Sequence, residues 1–290
     1  MTSAMISSEK TAIELRNLSV TYPGGGKNNK EARAVKAVRN CSFSVARGNI
    51  VGLVGESGSG KSSALMAIPG LLPPGTLVSG QIFCDGEDIS ALSEEALNVW
   101  RWRRIALVPQ GAMNSFTPHL SVERHITEVL THHLGMTRRE GRGYAAELLR
   151  TVGLEAEGTS SILDRYPHEL SGGQKQRAAL AAALACGPDF LLADEPTTAL
   201  DVITQKEVLD MTAALVRERG MGLLLVTHDL PLAAGLCDIL IVMKDGVVVE
   251  SGPSRLLVGA PSHPYTRRLI EAIRSLEKTE ETRETGGERL

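Results

Sequence analysis

Three short stretches of the sequence combine residue types that act on phosphate. The first is Gly55-Glu56-Ser57-Gly58-Ser59-Gly60-Lys61-Ser62. Glycines at 55, 58 and 60 let the backbone curl until successive N–H groups converge on an anion. Lys61 can then reach the β- and γ-phosphates of a nucleotide, and the Ser62 hydroxyl can ligate Mg²⁺. With Ser63, the stretch supplies the binding residues of a phosphate loop. A chance match to its glycine–lysine–serine pattern in a chain of this composition is on the order of one per cent. The second stretch is Asp194-Glu195. Hard cations take oxygen ligands, so Asp194 can hold Mg²⁺, while Glu195 can orient and polarise an attacking water. The third is Leu170-Ser171-Gly172-Gly173-Gln174-Lys175-Gln176-Arg177. It sets serine and two glycines at the head of an Ala/Leu-rich helix, a second helix end with bare N–H groups.

These residues need elements to position them. Ile50-Val51-Gly52-Leu53-Val54 predicts a buried strand before the loop, and Ser63 to Leu71 a helix after it. Strand, glycine-rich loop, helix is the context a phosphate loop requires. Phe190-Leu191-Leu192-Ala193 predicts a strand that ends in Asp194-Glu195. Alone, that acidic pair reads equally well as the start of a surface turn; the loop at 55–62 favours the metal-binding reading. Leu223 to Val226 predicts another buried strand, ending at Thr227-His228-Asp229, and Ile105 to Val108 a short one closed by Pro109-Gln110. A helix is expected over residues 202–219.

Upstream, Ile13, Leu15, Leu18 and Val20 mark an extended segment around Asn17, and Cys41, Phe43 and Val45 alternate with small or polar residues. These strands are expected to form a small antiparallel layer beside the nucleotide core. The stretch from Thr21 to Lys30 reads as a loop. Asp85-Gly86 and Lys244-Asp245-Gly246 signal hairpins, and Ser93 is placed to cap a helix reaching Trp100. From Gly111 to Tyr166 the pattern changes to helical segments around Val122–Leu134 and Tyr144–Val152, predicting a helical subdomain inserted into the α/β core. Residues 1–10 are polar and expected to be flexible, and residues 276–290 lack apolar periodicity and are expected to be disordered.

Composition bounds the function. The 290 residues are 42% hydrophobic and 22% charged with a net charge of −3, which fits a globular chain without a broadly basic nucleic-acid surface. The four cysteines, Cys41, Cys84, Cys186 and Cys237, form no C-x-x-C pair and predict neither a zinc site nor a redox motif. The N-terminus has no apolar signal region, and the longest small apolar run, Ala178 to Gly187, is about half of the ~20 residues that span a bilayer. Any membrane role is expected to come through a partner.

With Leu170-Ser171-Gly172-Gly173-Gln174 heading a helix some twenty residues before an acid-ended strand, the sequence closely resembles the ATP-binding cassette family over residues 11–275. The resemblance implies an α/β fold: a P-loop NTPase (RecA-like) core with an N-terminal antiparallel β subdomain and an inserted α-helical subdomain over about 111–180. It implies ATP and Mg²⁺ as cofactors. It makes Gly55–Ser62 the Walker A loop, Phe190–Asp194 the Walker B strand and Glu195 the catalytic carboxylate. Gln110 becomes the Q-loop glutamine at Mg²⁺, Ser171–Gln174 the signature, Asp201 the D-loop aspartate and His228 the switch histidine by the γ-phosphate. Tyr22 falls where the family places an aromatic under adenine. The family works as dimers, in which the signature of one subunit closes on ATP held by the other.

Four further stretches resemble one branch of that family: Arg165–Leu170, Gln110–Ser115, Thr197–Asp201 and His263-Pro264-Tyr265-Thr266-Arg267-Arg268-Leu269 within a C-terminal extension over about 253–275. That branch contains the ATPase subunits of dipeptide, oligopeptide and nickel importers. It implies two permease subunits, an extracytoplasmic solute-binding protein and a second cassette, commonly a paralogue, with the chain peripheral on the cytoplasmic face of the membrane. Peptide is the first expectation for cargo; nickel, opine and oligosaccharide stay open. The segment after His-Pro-Tyr-Thr lacks cysteine, so no iron–sulfur cluster is expected. His-Pro-Tyr-Thr itself reads as a turn and helix start packed on the core. A cassette ATPase acting on nucleic acid or ribosomes would carry coiled coils, a second cassette or basic insertions, none of which is apparent. A guanine-reading Asn-Lys-x-Asp motif is likewise absent, and an exporter would often fuse its membrane domain.

Overall fold

The computed structural model describes residues 12–24, 33–112, 115–154 and 161–272. Residues 1–10, most of the loop after Tyr22 and the segment 276–290 lie outside them.

Two sheets stack around the loop at 55–62. The first is antiparallel, ordered β2-β1-β4-β5: β1 Ala12–Tyr22, β2 Val35–Ala46, β4 Leu77–Cys84 and β5 Glu87–Asp88. It draws two of its strands from beyond the loop, so the antiparallel layer is larger than the upstream alternation alone indicates. The hairpin from β4 to β5 turns at Asp85 (φ 51°) and Gly86 (φ 84°), the left-handed pair of a tight turn. Asn17 also takes a positive φ of 54°, where the β1 register slips between Arg16 and Ser19.

The second sheet is ordered β10-β9-β3-β8-β7-β6. Its strands are β3 Ile50–Val54, β6 Ile105–Val108, β7 Phe190–Asp194, β8 Gly222–Thr227, β9 Ile239–Lys244 and β10 Val247–Pro253. All neighbours are parallel except β9 and β10, which form a hairpin. The apolar runs of the central strands follow from burial on both faces. Val51, Leu53, Phe190, Leu192, Leu224, Val226, Ile241 and Met243 point to a core shared with the antiparallel sheet. Their alternates, Ile50, Val54, Leu191, Ala193, Leu223, Leu225, Leu240 and Val242, point to a second core continuous with the helices. Arg47 and Arg104 tie the layers together, each bonded to both Asp85 and Asp189.

α1 (Lys61–Ala67) follows the loop, and α2 (Glu94–Trp100) is capped by the Ser93 hydroxyl, 3.3 Å from the Ala96 N–H. α3 (Val122–Leu134), α4 (Arg138–Thr151) and α5 (Gly172–Ala183) are inserted between β6 and β7. α4 begins six residues before the helix read from the sequence at Tyr144, because Thr137 and Glu140 close a reciprocal capping box. α6 (Val202–Glu218), α7 (Leu230–Leu236) and α8 (Ser254–Gly259) complete the labelled helices. A last helical run covers residues 264–272.

Register sets the site. Val54 of β3 lies opposite Thr227 of β8, Asp194 of β7 opposite Val226, and Val108 of β6 opposite Ala193. The carboxyl ends of these four strands are therefore level, at the edge where parallel α/β sheets bind ligands.

Candidate active site

The loop leaving β3 is shaped by what lies behind it. Gly55 has φ 149°, and a Cβ there would lie 2.2 Å from the Met243 carbonyl oxygen. Gly60 has φ 98° and caps α1; a Cβ there would lie 2.2 Å from the Ala37 carbonyl oxygen. The Gly246 N–H donates to the Ser59 carbonyl at 3.0 Å, and the Glu56 N–H to the Tyr265 hydroxyl at 3.3 Å. Gly58, at φ 80°, faces open space. The loop is thus packed on one side and open on the other. Lys61 is 5% exposed, and its ammonium donates to the carbonyls of Gly55 (2.8 Å) and Glu56 (2.9 Å). Burial lowers the Lys61 pKa, while the charges of Glu195 and Asp194 pull it back up.

The carboxylates sit one strand away, across β8. The Ser62 hydroxyl donates to Asp194 Oδ1 at 2.9 Å. Asp194 is buried, with no ion-pair partner among the described residues. Burial pushes its carboxyl above the usual carboxylate range, and neighbouring Glu195 adds to that; the Ser62 hydrogen bond and Lys61 oppose it. Such a pair of hard oxygens, one of them a buried carboxylate, suits a small divalent cation.

Glu195 takes a left-handed φ of 43°, costly for a residue with a Cβ, and its N–H is fixed to the Val226 carbonyl at 2.9 Å. That conformation turns the side chain into a ring of polar partners. Gln110 Nε2 donates to its Oε2 at 3.3 Å, the Thr198 hydroxyl donates to the same oxygen at 3.1 Å, and His228 Nδ1 lies 3.2 Å from Oε1. Gln110, Glu195 and His228 come from the ends of β6, β7 and β8, which level strand ends bring together.

Not every residue singled out from the sequence joins this cluster. Tyr22 donates from its hydroxyl to Ser63 Oγ at 3.0 Å, placing its half-buried ring beside the start of α1. Ser171 caps α5: its hydroxyl accepts from the Gln174 N–H at 3.3 Å, and the Gln174 amide oxygen accepts from the Ser171 N–H at 3.0 Å. Asp201 caps α6, accepting from the Thr204 N–H at 3.0 Å, a bond that lowers its pKa. Among the described residues, no hydrogen bond or ion pair links Ser171–Gln174 or Asp201 to the loop at 55–62. Two participants escaped sequence reasoning. Thr198 lies three residues after Glu195, a turn spacing that could have drawn attention to its hydroxyl. Tyr265 has no local signal that aims it at residue 56.

The fold and this cluster define a phosphate-loop nucleotide hydrolase. A model of the ABC transporter family matches residues 38–198. The chain is 41% identical over 244 residues to the dipeptide transport ATP-binding protein of Escherichia coli (strain K12), covering 84% of this chain and 74% of that one. It is 37% identical over 267 residues to the oligopeptide transport ATP-binding protein of Salmonella typhimurium, covering 91% and 77%. The dimeric structure of MJ0796, a bacterial ABC transporter cassette, superposes with a TM-score of 0.71 at 31% identity, over 84% of this chain and 99% of that one. The chain belongs to the ABC transporter family and is an ATPase of it.

Proposed function

We propose that this chain is the ATP-hydrolysing subunit of a peptide importer, acting as one of two cassettes beneath a pair of permease subunits that receive cargo from an extracytoplasmic binding protein. The carrying observation is the convergence of Lys61, Ser62, Asp194, Gln110, Glu195 and His228 at four level strand ends, with the capped head of α5 held elsewhere. Peptide cargo rests on the relatives, which are named for dipeptide and oligopeptide transport. The importer reading puts the chain peripherally on the cytoplasmic face; among the described residues, no helix is long and apolar enough to cross a membrane.

Mechanism follows from the positions. Loop N–H groups and the head of α1 receive the phosphates of ATP, and Lys61 exchanges two neutral carbonyls for phosphate oxygens. Ser62, Asp194 and Gln110 would hold Mg²⁺, which when bound draws charge off the phosphates. Glu195 orients the attacking water, with its carboxylate fixed by Thr198, Gln110 and His228. Tyr22, bonded to Ser63 at the head of α1, would lie under the base. Ser171–Gln174 and Asp201 act on the nucleotide of the second cassette.

Coupling has a physical route. An apolar cleft of about 380 Å³ lies between β6 and the inserted helices, lined among others by Trp102, Leu107, Pro109, Phe116 and Val129. It suits an apolar permease helix. Pro109 forms its wall and the adjacent Gln110 bonds Glu195, so displacement of that wall reaches the catalytic carboxylate through one peptide unit. Glu195→Gln tests the assignment. It should keep ATP affinity, reduce turnover by at least a hundredfold and accumulate ATP-bound dimers on size exclusion; unchanged hydrolysis would remove Glu195 from its role. Peptide-stimulated turnover, measured with permeases and binding protein in vesicles, tests the cargo.

A further inference from the structure

We propose that Tyr265, in the C-terminal extension, is a positioning residue for the phosphate loop, holding Glu56 so that the loop stays formed when Lys61 turns to the nucleotide. The proposal rests on the ATP-binding reading of Gly55–Ser62.

Four contacts fix the packed side of the loop. Three are made by main chain: the Met243 carbonyl against Gly55, the Gly246 N–H on the Ser59 carbonyl and the Ala37 carbonyl against Gly60. The fourth is the Tyr265 hydroxyl, which accepts from the Glu56 N–H at 3.3 Å. Among the described residues it is the one side chain from outside the loop that hydrogen-bonds to the backbone of residues 55–60. Glu56 is therefore held from behind, and its N–H is spent away from the open side.

The extension is built to hold that hydroxyl still. Tyr265 is 5% exposed, and the Lys244 ammonium sits 5.0 Å from its ring centroid. The Tyr265 N–H donates to His263 Nδ1 at 3.2 Å. The Glu250 carboxylate on β10 accepts from the N–H groups of Ser262 (2.7 Å) and His263 (3.1 Å), which anchors the turn before Tyr265. Burial raises the phenol pKa, so the hydroxyl stays protonated at working pH. Strand β9 thus supports the loop twice, through Met243 directly and through Lys244 over the Tyr265 ring.

The consequence appears on binding. In the free chain Lys61 clamps the Gly55 and Glu56 carbonyls. Once its ammonium moves to phosphate, that clamp opens, and Tyr265 is the side chain left holding Glu56. Losing the hydroxyl should raise the cost of the bound loop rather than unfold the chain.

The test is Tyr265→Phe in the full chain, which keeps the ring and removes only the hydroxyl. Ile270→Ala, a buried residue of the same core with no polar side-chain group to bond the loop, is the packing control. Affinity for a fluorescent Mg-ATP analogue is measured beside the melting temperature. Y265F should weaken binding about two- to tenfold, the worth of one neutral hydrogen bond, at a near-wild-type melting temperature. I270A should lower the melting temperature and leave affinity within about twofold. Y265F binding like wild type, or both variants losing affinity in step with stability, would overturn the proposal. Lys61→Ala separates the two readings: if it abolishes binding while Y265F is silent, the ATP site stands and the positioning role falls.

Discussion

The loop geometry makes a demand on Gly60 that a stability measurement and a kinetic one read differently. At Gly60→Ala, the added Cβ would sit 2.2 Å from the Ala37 carbonyl oxygen, where ordinary contact begins at 3.4 Å. The neighbour is backbone of β2 and cannot rotate away, so the loop must retreat by about 1 Å. The φ of 98° adds strain of about 1–3 kcal/mol for any residue with a Cβ. Gly48→Ala isolates that second effect. Gly48 has φ 78° in the turn before β3, and nothing lies within 4 Å of its Cβ position. G48A should lose a similar ~1–3 kcal/mol in urea unfolding and keep kcat and KM. G60A should lose at least as much and, in addition, about a hundredfold in kcat/KM for Mg-ATP, the cost of a 1 Å misplacement of reacting groups. The assay is steady-state phosphate release by both variants beside their unfolding curves. If G60A stays within about threefold of G48A in kcat/KM, the loop is not held by β2 and the packing argument fails.

Two other expectations concern parts of the chain away from the loop. Arg138→Ala should destabilise the helical insertion, because Glu123 is 2% exposed and its carboxylate is paired to that guanidinium at 2.9 Å. The Arg138 hydrogen bond depresses the Glu123 pKa, so the wild-type advantage should be complete above the free glutamic value of 4.5 and vanish as pH falls through the lowered one; an advantage that persists at pH 2 in urea melts would reject the pairing. Burial pushes the Cys186 thiol up to about 11 and those of Cys41, Cys84 and Cys237 up to about 12. Alkylation at pH 8 should then run on the order of a hundredfold slower than for a free thiol at Cys186 and on the order of a thousandfold slower at the other three, and accelerate on unfolding; a rapidly labelled native cysteine would contradict this.

Much of the fold was legible because burial on both faces writes itself as continuous apolar runs. Ile50–Val54, Phe190–Asp194 and Leu223–Val226 carry that signature, and the turns at Asp85-Gly86 and Asp245-Gly246 mark their hairpins with residues that accept positive φ. The extent of α4 was written too, in Thr137 and Glu140, but helical periodicity alone starts at Tyr144 and misses the cap. Within the site, glycine spacing and the acid-ended strand name Lys61, Ser62, Asp194 and Glu195. Strand order could not be read, and strand order is what places β8 between the loop strand and the acid strand. Tyr265 is the extreme case: it lies 209 residues from Glu56, and only the return of the chain along β9 and β10 brings them together.

On the proposed reading, the chain carries two helix ends suited to anions and connects only one of them to its own loop. The head of α5 satisfies part of its need internally through the Ser171–Gln174 box, which leaves the Gly172 and Gly173 N–H groups at the open end of the helix. Its position is fixed by α6, since a Cβ on Gly173 would lie 2.8 Å from Thr204 Cγ2. The first turn of α6 leaves Val202 and Ile203 82% and 74% exposed beside the Asp201 cap. Bare N–H groups, an acidic cap and two exposed aliphatics therefore lie at the surface where α5, the last of the inserted helices, meets the first turn of α6. On the two-cassette reading, closure of that surface over a second chain's nucleotide repositions the helices that line the Pro109 cleft, and Gln110 passes the movement to Glu195. On that reading, binding energy collected between two chains would reach the permease side before any phosphate bond breaks.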